Sequence, residues 1–182
     1  MGKFFLIGIP NCGKSTLGRL TADILKLPFF DTDTMARDRL KPGGSDSIFS
    51  SVFKQRFVDA QHAAIAELAG FDGDAIIATG AEISLMLECV QSMRTTGTII
   101  LIKRKPELVL EDLRNNGKRR IVLRDEANGM EIDMQENFVK HYMDNYSCYE
   151  SIADLSLDNN GSEDEGVQKL VVLINQWQTG NI

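Results

Sequence analysis

A glycine-rich segment between an apolar run and a helical pattern constrains this chain more than any other feature. Residues 8–16 read Gly-Ile-Pro-Asn-Cys-Gly-Lys-Ser-Thr, which fits the P-loop pattern G-x-x-x-x-G-K-[ST]. Residues 4–9 are predicted to be a strand, and residues 14–25 follow a helical pattern. Because strand, glycine loop and helix in this order form the usual setting of a phosphate-binding loop, the sequence predicts a site for a nucleoside triphosphate.

The chemistry of the motif assigns a role to each residue type in the loop. Glycine lets backbone N–H groups turn toward phosphate oxygens, and the helix start adds the positive end of its dipole. Lys14 would reach the β- and γ-phosphates, and the Ser15 hydroxyl would bind Mg²⁺. Cys12 fills a permissive position, which is the simpler interpretation, or is a reactive thiol at a helix N-terminus. The loop residues expected to bind nucleotide are Gly8, Asn11, Cys12, Gly13, Lys14, Ser15 and Thr16.

The composition predicts a soluble protein with one domain over residues 1–182, a monomer or alternatively a dimer. Hydrophobic residues make up 43% of the chain and charged residues 25%, which is usual for this class. The net charge of −6 argues against a dedicated nucleic-acid binder. No apolar run spans a bilayer and no signal pattern opens the chain, so we expect no membrane partner and a cytoplasmic location. The three cysteines form no Cys-x-x-Cys pair, which excludes a disulfide framework and disfavours a zinc site.

Strand-like apolar runs alternate with helical patterns along the chain, which predicts an α/β fold with a parallel sheet. Strands are predicted at residues 4–9, 28–30, 75–78, 98–102 and 153–157. Helices are predicted at residues 14–25, 33–40, 46–69, 85–94, 106–115, 134–148 and 163–177. A segment rich in Asn, Gly and charge, residues 115–131, is predicted to be a mobile surface loop that could act as a lid.

Two carboxylates follow the second predicted strand. Ligands of open α/β sheets bind at the carboxyl ends of the strands, so Asp31 and Asp33 would face the P-loop. One could hold Mg²⁺ and the other accept the proton of an attacking hydroxyl, although one of the two could simply cap the next helix. In the lid, Arg119 and Arg120 would stabilise the charge of a transferred phosphoryl group, or either could be solvated surface. Gly80 would admit a ligand close to the backbone, or form a simple turn.

Together these segments resemble the shikimate kinases, a P-loop family related to the nucleoside-monophosphate kinases. The specific matches are Gly-Lys-Ser-Thr-Leu-Gly-Arg at residues 13–19 and Phe-Asp-Thr-Asp at residues 30–33. The weaker matches are Ser-Ile-Phe at 47–49, Thr-Gly-Ala at 79–81, Arg-Ile-Val-Leu at 120–123 and Asp-Asn-Asn at 158–160. The similarity therefore runs over nearly the whole chain.

The resemblance implies a three-layer α/β/α fold around a five-stranded parallel sheet. It also implies an ATP- and Mg²⁺-dependent kinase of aromatic amino acid biosynthesis that phosphorylates a hydroxyl of shikimate. By the same resemblance the catalytic residues are Lys14, Asp33 and Arg120, and the metal-binding residues are Ser15 and Asp31. Arg114 and Asn159 would flank the adenine, and a helical segment over about residues 33–69 would bind the acceptor.

The match to the family departs in the acceptor pocket. The family pattern Phe-Arg-x-x-Glu, whose arginine binds the shikimate carboxylate, reads Phe-Val-Asp-Ala-Gln at residues 57–61. A second carboxylate-binding arginine is replaced by Asn145, and the family's triple glycine reads Thr-Gly-Ala, followed by Glu82. Lys54 lies one helical turn before Val58 and could supply a replacement cation, whereas Arg56 would point away. The acceptor-binding residues we expect are Asp33, Lys54, Gly80, Ala81 and Glu82.

Three functions are consistent with this pattern. The leading one is a small-molecule kinase with shikimate as acceptor. A kinase with a different small hydroxylated acceptor is the second, because Val58, Asn145 and Glu82 alter the expected pocket. The third is a non-catalytic nucleotide-binding module. Asp33 discriminates them, since a kinase needs a carboxylate beside the acceptor and a nucleotide switch does not.

Overall fold

The computed structural model describes residues 2–40, 51–82, 85–115, 122–124 and 131–180. The strands in these ranges are β1 (Lys3–Ile7), β2 (Phe29–Asp31), β3 (Ala75–Ala78), β4 (Gly97–Lys103), β5 (Val122–Arg124), β6 (Glu131–Asp133) and β7 (Leu155–Asp158). The helices are α1 (Lys14–Leu25), α2 (Thr32–Arg39), α3 (Ser51–Ala69), α4 (Leu87–Thr96), α5 (Pro106–Asn115), α6 (Met134–Asp144), α7 (Tyr146–Ile152) and α8 (Glu163–Gln178). None of these helices has the length and apolar character needed to cross a membrane.

Five strands form one parallel sheet in the order β2-β3-β1-β4-β7. Every residue of β1 and β3 is buried. Because neighbouring side chains of a strand point to opposite faces, full burial of a strand means that both faces of the sheet are covered. The helices supply that cover, with α1 packed on α8 and α3 on α4. The predicted α/β fold with a five-stranded parallel sheet between helical layers is confirmed.

The strand order brings the functional segments to one edge of the sheet. β1 lies between β3 and β4, so the chain leaves β1 where the direction of winding changes, and such a switch point is where open α/β sheets bind ligands. The glycine loop follows β1, Asp31 ends β2, and Thr79 follows β3. Asn159 follows β7 at the same edge. Residues that are far apart in sequence therefore meet at the carboxyl ends of parallel strands.

Two predictions of local structure were wrong. The segment predicted as a loop, residues 115–131, includes β5 and leads into β6, and these two strands pair antiparallel with Val122 opposite Asp133. The single helix predicted over residues 134–148 is instead two helices that meet at Asn145. The Asn145 side chain donates a 3.0 Å hydrogen bond to the carbonyl of His141, and such local bonding by asparagine competes with continued helix.

Several predicted segments lie outside the described residues. They include the lid arginines Arg119 and Arg120, and residues 47–49, which carry one of the weaker family matches. The helix predicted to begin at residue 46 is described from Ser51 onward.

Candidate active site

A cleft of about 1200 Å³ opens at the carboxyl edge of the sheet. One end, which we call the nucleotide end, is lined by the glycine loop, including Asn11, Gly13 and Lys14. The other end, which we call the acceptor end, is lined by α2, α3, the segment after β3, and Tyr142 of α6. Lys14, Asp31 and Asp33 all line this one cleft, so the structure brings together the residues that the sequence proposed for phosphate, metal and acceptor chemistry.

The backbone of the loop requires its glycines. Gly8 has φ +139° and Gly13 has φ +102°, values that L-amino acids with a side chain rarely adopt. A Cβ on Gly8 would lie 2.7 Å from the Ile102 carbonyl oxygen, and one on Gly13 would lie 2.5 Å from Asn159 Nδ2. The motif glycines are therefore fixed by backbone conformation and by close packing, as well as by phosphate approach.

Lys14 is held inside the loop that it follows. Its Nζ donates 2.9 Å hydrogen bonds to the carbonyls of Gly8 and Ile9, and the side chain is buried. Cys12 Sγ lies 3.8 Å from the same Nζ and Cys12 is fully buried. These contacts support the simpler interpretation of Cys12, a residue that fills the interior of the loop.

Ser15 and Asp31 meet directly. The Ser15 hydroxyl donates a 2.6 Å hydrogen bond to Asp31 Oδ2. The other oxygen, Oδ1, accepts the N–H groups of Asp33 and Thr34 at 3.0 Å and so caps α2. The interpretation of Asp31 as a helix cap is therefore confirmed, and Oδ2 stays the oxygen predicted for the metal. A hydroxyl and a carboxylate side by side supply the oxygen ligands that Mg²⁺ uses beside nucleotide phosphates, so this donor set fits the ion.

Asp33 lies half-buried at the start of α2, within the acceptor end of the cleft. Gln61 of α3 donates a short hydrogen bond from Nε2 to Asp33 Oδ1. Burial raises the pKa of Asp33 above its ordinary value, and the neighbouring charge of Asp31 adds to the rise. The hydrogen bond from Gln61 and the positive charges of Lys14 and Arg37 lower the pKa in part. The carboxyl group is thus a better proton acceptor than an exposed aspartate.

Gly80 completes the contact between Asp33 and α3. Its N–H donates a 2.9 Å hydrogen bond to Thr32 Oγ1, which anchors the segment after β3 to the first residue of α2. A Cβ at this position would overlap Gln61 Nε2 and lie 2.7 Å from Asp33 Oδ1. The absence of a side chain is therefore what allows Gln61 to reach Asp33.

Hydrogen bonds link the nucleotide end of the cleft to the segment that follows β7. Asn159 is buried, and its Nδ2 donates a 2.9 Å hydrogen bond to the Cys12 carbonyl. Arg104 donates to the Asn159 carbonyl at 3.0 Å and to Asp112 Oδ2 at 2.6 Å. Asn159, Arg104 and Asp112 all line the cleft. Arg114 donates to Glu136 of α6 at 2.9 Å and is not among the described residues that line the cleft.

A family model described as shikimate kinase matches residues 10–175. The chain belongs to the shikimate kinase family. It is similar to a shikimate kinase of Clostridium botulinum, with 29% identity over 175 residues that cover 94% of this chain and 96% of that protein. The predicted kinase activity is thus confirmed at the level of the family, and membership implies the use of ATP.

Two solved structures share this fold. A shikimate kinase from Acinetobacter baumannii in complex with shikimate has a TM-score of 0.77 and 19% identity, covering 100% of this chain and 94% of that chain. A shikimate kinase from Bacteroides thetaiotaomicron has a TM-score of 0.75 and 22% identity, covering 96% of this chain and 98% of that chain. These likenesses show that the fold is shared over nearly the whole length of the chain.

The acceptor end shows where this member of the shikimate kinase family departs from the pattern. Val58 lines the cleft at the position of the first expected arginine, whereas Asn145 is bonded to His141 and is not among the described residues that line it. Two basic side chains do line this end, Lys54 of α3 and Arg37 of α2. The cleft thus retains positive charge at the acceptor end, from different positions.

Glu82 and Ala81 close the acceptor end against α6 and α7. Tyr142 donates a 3.3 Å hydrogen bond to Glu82 Oε1, and Tyr149 donates to the Ala81 carbonyl at 3.1 Å. Burial, followed by the charge of Glu82, raises the pKa of Tyr142 to about 12. Tyr142 is therefore a neutral hydrogen-bond donor in the cleft at physiological pH.

Sequence reasoning missed several residues of the cleft, among them Arg37, Gln61 and Tyr142 at the acceptor end and Arg104 and Asp112 at the nucleotide end. Arg37 had a usable signal, because it lies four residues after Asp33 and so shares its helical face. Gln61 stands where the family pattern has a glutamate, and its bond to Asp33 depends on how α3 packs on α2. Tyr142 carried no local signal, since α6 reaches the cleft only through tertiary packing.

Proposed function

We propose that this protein transfers the γ-phosphate of ATP to a hydroxyl group of shikimate, with Mg²⁺ bound beside Ser15 and Asp31. The observation that carries the proposal is the placement of the Ser15–Asp31 pair, buried Lys14 and Asp33 in one cleft. Support for the acceptor comes from the family, and from the similar Acinetobacter baumannii enzyme solved in complex with shikimate.

The loop and α1 would hold the triphosphate. Backbone N–H groups around Gly13 and at the start of α1 form an anion site, with Asn11 and Thr16 beside them. Lys14 would exchange a loop carbonyl for a phosphate oxygen, since an ammonium has three rotatable donors. When bound, Mg²⁺ would neutralise phosphate charge and fix the γ-phosphate in line with the acceptor.

Asp33 would act on the acceptor. Its raised pKa fits a group that accepts the hydroxyl proton as the new O–P bond forms. Ala81, on the segment after β3, lines this end of the cleft and would leave room for the ring of the acceptor. Gly80 stays a candidate acceptor-binding residue, although the space beside it is taken by the Gln61 amide. Arg120, outside the described residues, is our candidate for stabilising the transferred phosphoryl group. Arg114 and Asn159 stay candidates for the adenine.

The charged group of the acceptor needs a cation. A hydrogen bond to a charged partner contributes about 1.5–3 kcal/mol, so the loss of two family arginines would weaken recognition strongly if nothing replaced them. Lys54 and Arg37 are the basic side chains of the described chain that line the acceptor end, and we propose that they bind the shikimate carboxylate. Glu82 and Tyr142 would bind acceptor hydroxyl groups from the opposite side.

A coupled ADP-release assay with Mg·ATP and shikimate tests the proposal directly. Wild-type protein should turn over, and Asp33→Asn should lose turnover by about 10²–10⁴-fold with ATP affinity unchanged. Asp38→Asn is the matched control, because Asp38 is exposed on the same helix and does not line the cleft. ATP binding without transfer to any acceptor would contradict a kinase and favour a nucleotide-binding module.

A second acceptor class is favoured by Val58 and Glu82. An apolar side chain stands where the family places a carboxylate-binding arginine, and an acidic one lines the same end of the cleft. These residues fit a neutral or amine-bearing polyol better than an anionic acid. Turnover with sugars, polyols or amino sugars, and none with shikimate, would establish this second class.

A further inference from the structure

Gln61 is a buried polar residue of the acceptor end that the proposed chemistry does not use. It lies on α3, is only 5% exposed, and directs its amide into the cleft. The hydrogen bond from its Nε2 to Asp33 Oδ1 joins two residues that are 28 positions apart. A glutamine buried in this way has lost most of its contact with water, so a hydrogen-bond partner in the protein must compensate for that loss.

Three elements converge on this bond. The start of α2 supplies Asp33, α3 supplies Gln61, and the segment after β3 supplies Gly80, where any Cβ would overlap the amide. The hydrogen bond from the Gly80 N–H to Thr32 Oγ1 fixes the distance between two of these elements. Thr32 is itself fully buried, so the joint is rigid.

The backbone of Asp33 is also held in place. The N–H of Asp33 donates to Asp31 Oδ1 at 3.0 Å, which fixes the Cα from which the side chain extends. With the backbone and Oδ1 both held, the carboxylate has one orientation. Among the described residues, no group donates to Asp33 Oδ2, which is therefore the oxygen available to an acceptor hydroxyl.

We propose that Gln61 is a positioning residue, whose amide holds Asp33 Oδ1 so that Oδ2 meets the proton of the acceptor hydroxyl. The inference rests on the proposed function. A neutral amide suits this task, because it donates to a carboxylate and accepts no proton in the reaction. A glutamate at residue 61 would instead place a second negative charge against Asp33.

The kinetic consequence is specific to the chemical step. Loss of orientation by about 1 Å at a reacting group can cost roughly 100-fold in rate, without changing how substrates bind. Gln61→Met keeps the length of the side chain and removes its donor, so kcat should fall by about 10–100-fold. The KM values for ATP and the acceptor should change by less than about threefold, since the proposed role of Gln61 is to orient Asp33 and not to bind either substrate.

The test is steady-state kinetics of Gln61→Met with Mg·ATP and shikimate, or with the best acceptor of the wild-type panel. Gln55→Met is the matched control, because Gln55 lies on the same helix, bonds to exposed Asp59 and does not line the cleft. Gln61→Glu keeps the shape of glutamine and should lose at least as much kcat as Gln61→Met. Thermal melting and ATP titration confirm that each variant is folded.

The outcomes separate the two proposals. A lower kcat in Gln61→Met with preserved KM and ATP affinity supports the positioning role. A kcat within twofold of wild type, or a loss shared by Gln55→Met, overturns it while the proposed function stands. A parallel loss of ATP affinity would also overturn it, because that shows a merely structural role. Wild-type protein that phosphorylates no acceptor would overturn both proposals together.

Discussion

The hydroxyl of Ser15 donates a 2.6 Å hydrogen bond to Asp31 Oδ2, which joins the first turn of α1 to the end of β2. The same aspartate caps α2 through Oδ1. Oδ1 thus has a structural role and Oδ2 is the oxygen that we propose for Mg²⁺, so substitutions at this position can separate the two roles.

Asp31→Asn should impair metal use and leave the fold intact. Asparagine caps helices as well as aspartate does, so the melting temperature should stay close to wild type. The neutral amide is a poor Mg²⁺ ligand and a poor partner for a hydrated ion, so the Mg²⁺ concentration for half-maximal activity should rise on the order of 10–100-fold. Asp31→Ala should show the same metal defect and lose about 1 kcal/mol of stability in addition. Equal melting temperatures for the two variants would contradict this division of roles.

Asp33→Asn should stabilise the ligand-free protein at neutral pH. The folded-state pKa of Asp33 lies above its ordinary value, because of burial and then the charge of Asp31. The folded protein therefore holds this proton more tightly than the unfolded chain does, and stability falls as the pH rises through the folded pKa. Above the raised pKa, the substitution removes this loss of stability. Below the ordinary pKa of an aspartate, the substitution does not increase the free energy of unfolding. Melting curves between acid and neutral pH measure the difference, and a wild type that is the more stable at pH 7 would refute it.

Arg37→Ala and Lys54→Ala should each weaken the use of an anionic acceptor. We expect kcat/KM for shikimate to fall by about tenfold in either variant, as for loss of one hydrogen bond to a charged group. The methyl ester of shikimate lacks the charge, so its kcat/KM should be the same in wild type and variants. Arg56→Ala is the control, since Arg56 lies on α3 and is not among the residues that line the cleft. An equal loss of kcat/KM with the acid and with the ester would show that the two basic side chains do not bind the carboxylate.

Thiol labelling should distinguish the three cysteines. Cys12 and Cys89 are buried, and burial raises the pKa of the Cys89 thiol to about 11. Cys148 is exposed. Under native conditions we expect one rapidly labelled thiol, which Cys148→Ser should abolish, and three in denaturant. Rapid labelling at Cys12, with protection by ATP, would restore the alternative of a reactive thiol in the loop.

The sequence predicted those parts of the molecule whose cause is local. The glycine loop between β1 and α1 follows from glycine conformation, and the buried strands follow from continuous apolar runs. The same holds for Asp31, because a carboxylate that ends a parallel strand faces the carboxyl edge of the sheet. These inferences need only the neighbouring residues and the general geometry of parallel sheets.

The remainder depended on tertiary pairing. The bond between Gln61 and Asp33 requires the packing of α3 on α2, which no periodicity encodes. The break in the helix at Asn145 depends on a side-chain hydrogen bond that asparagine makes in some helices and not in others. Helical spacing places Arg37, four residues after Asp33, on the same face of α2. Its role could not be predicted from that spacing, because the sequence does not show that this face lines a cleft.

The bond from Asn159 to the Cys12 carbonyl spans 147 positions of the chain. Asn159 fits between Gly13 and Gly166, where a Cβ on either glycine would lie 2.5 Å from its amide group. During synthesis on the ribosome, the glycine loop therefore lacks the hydrogen bond from Asn159 until β7 and α8 have emerged. The loop is complete as a motif at residues 8–16, but its native geometry depends on residues that are made much later in synthesis.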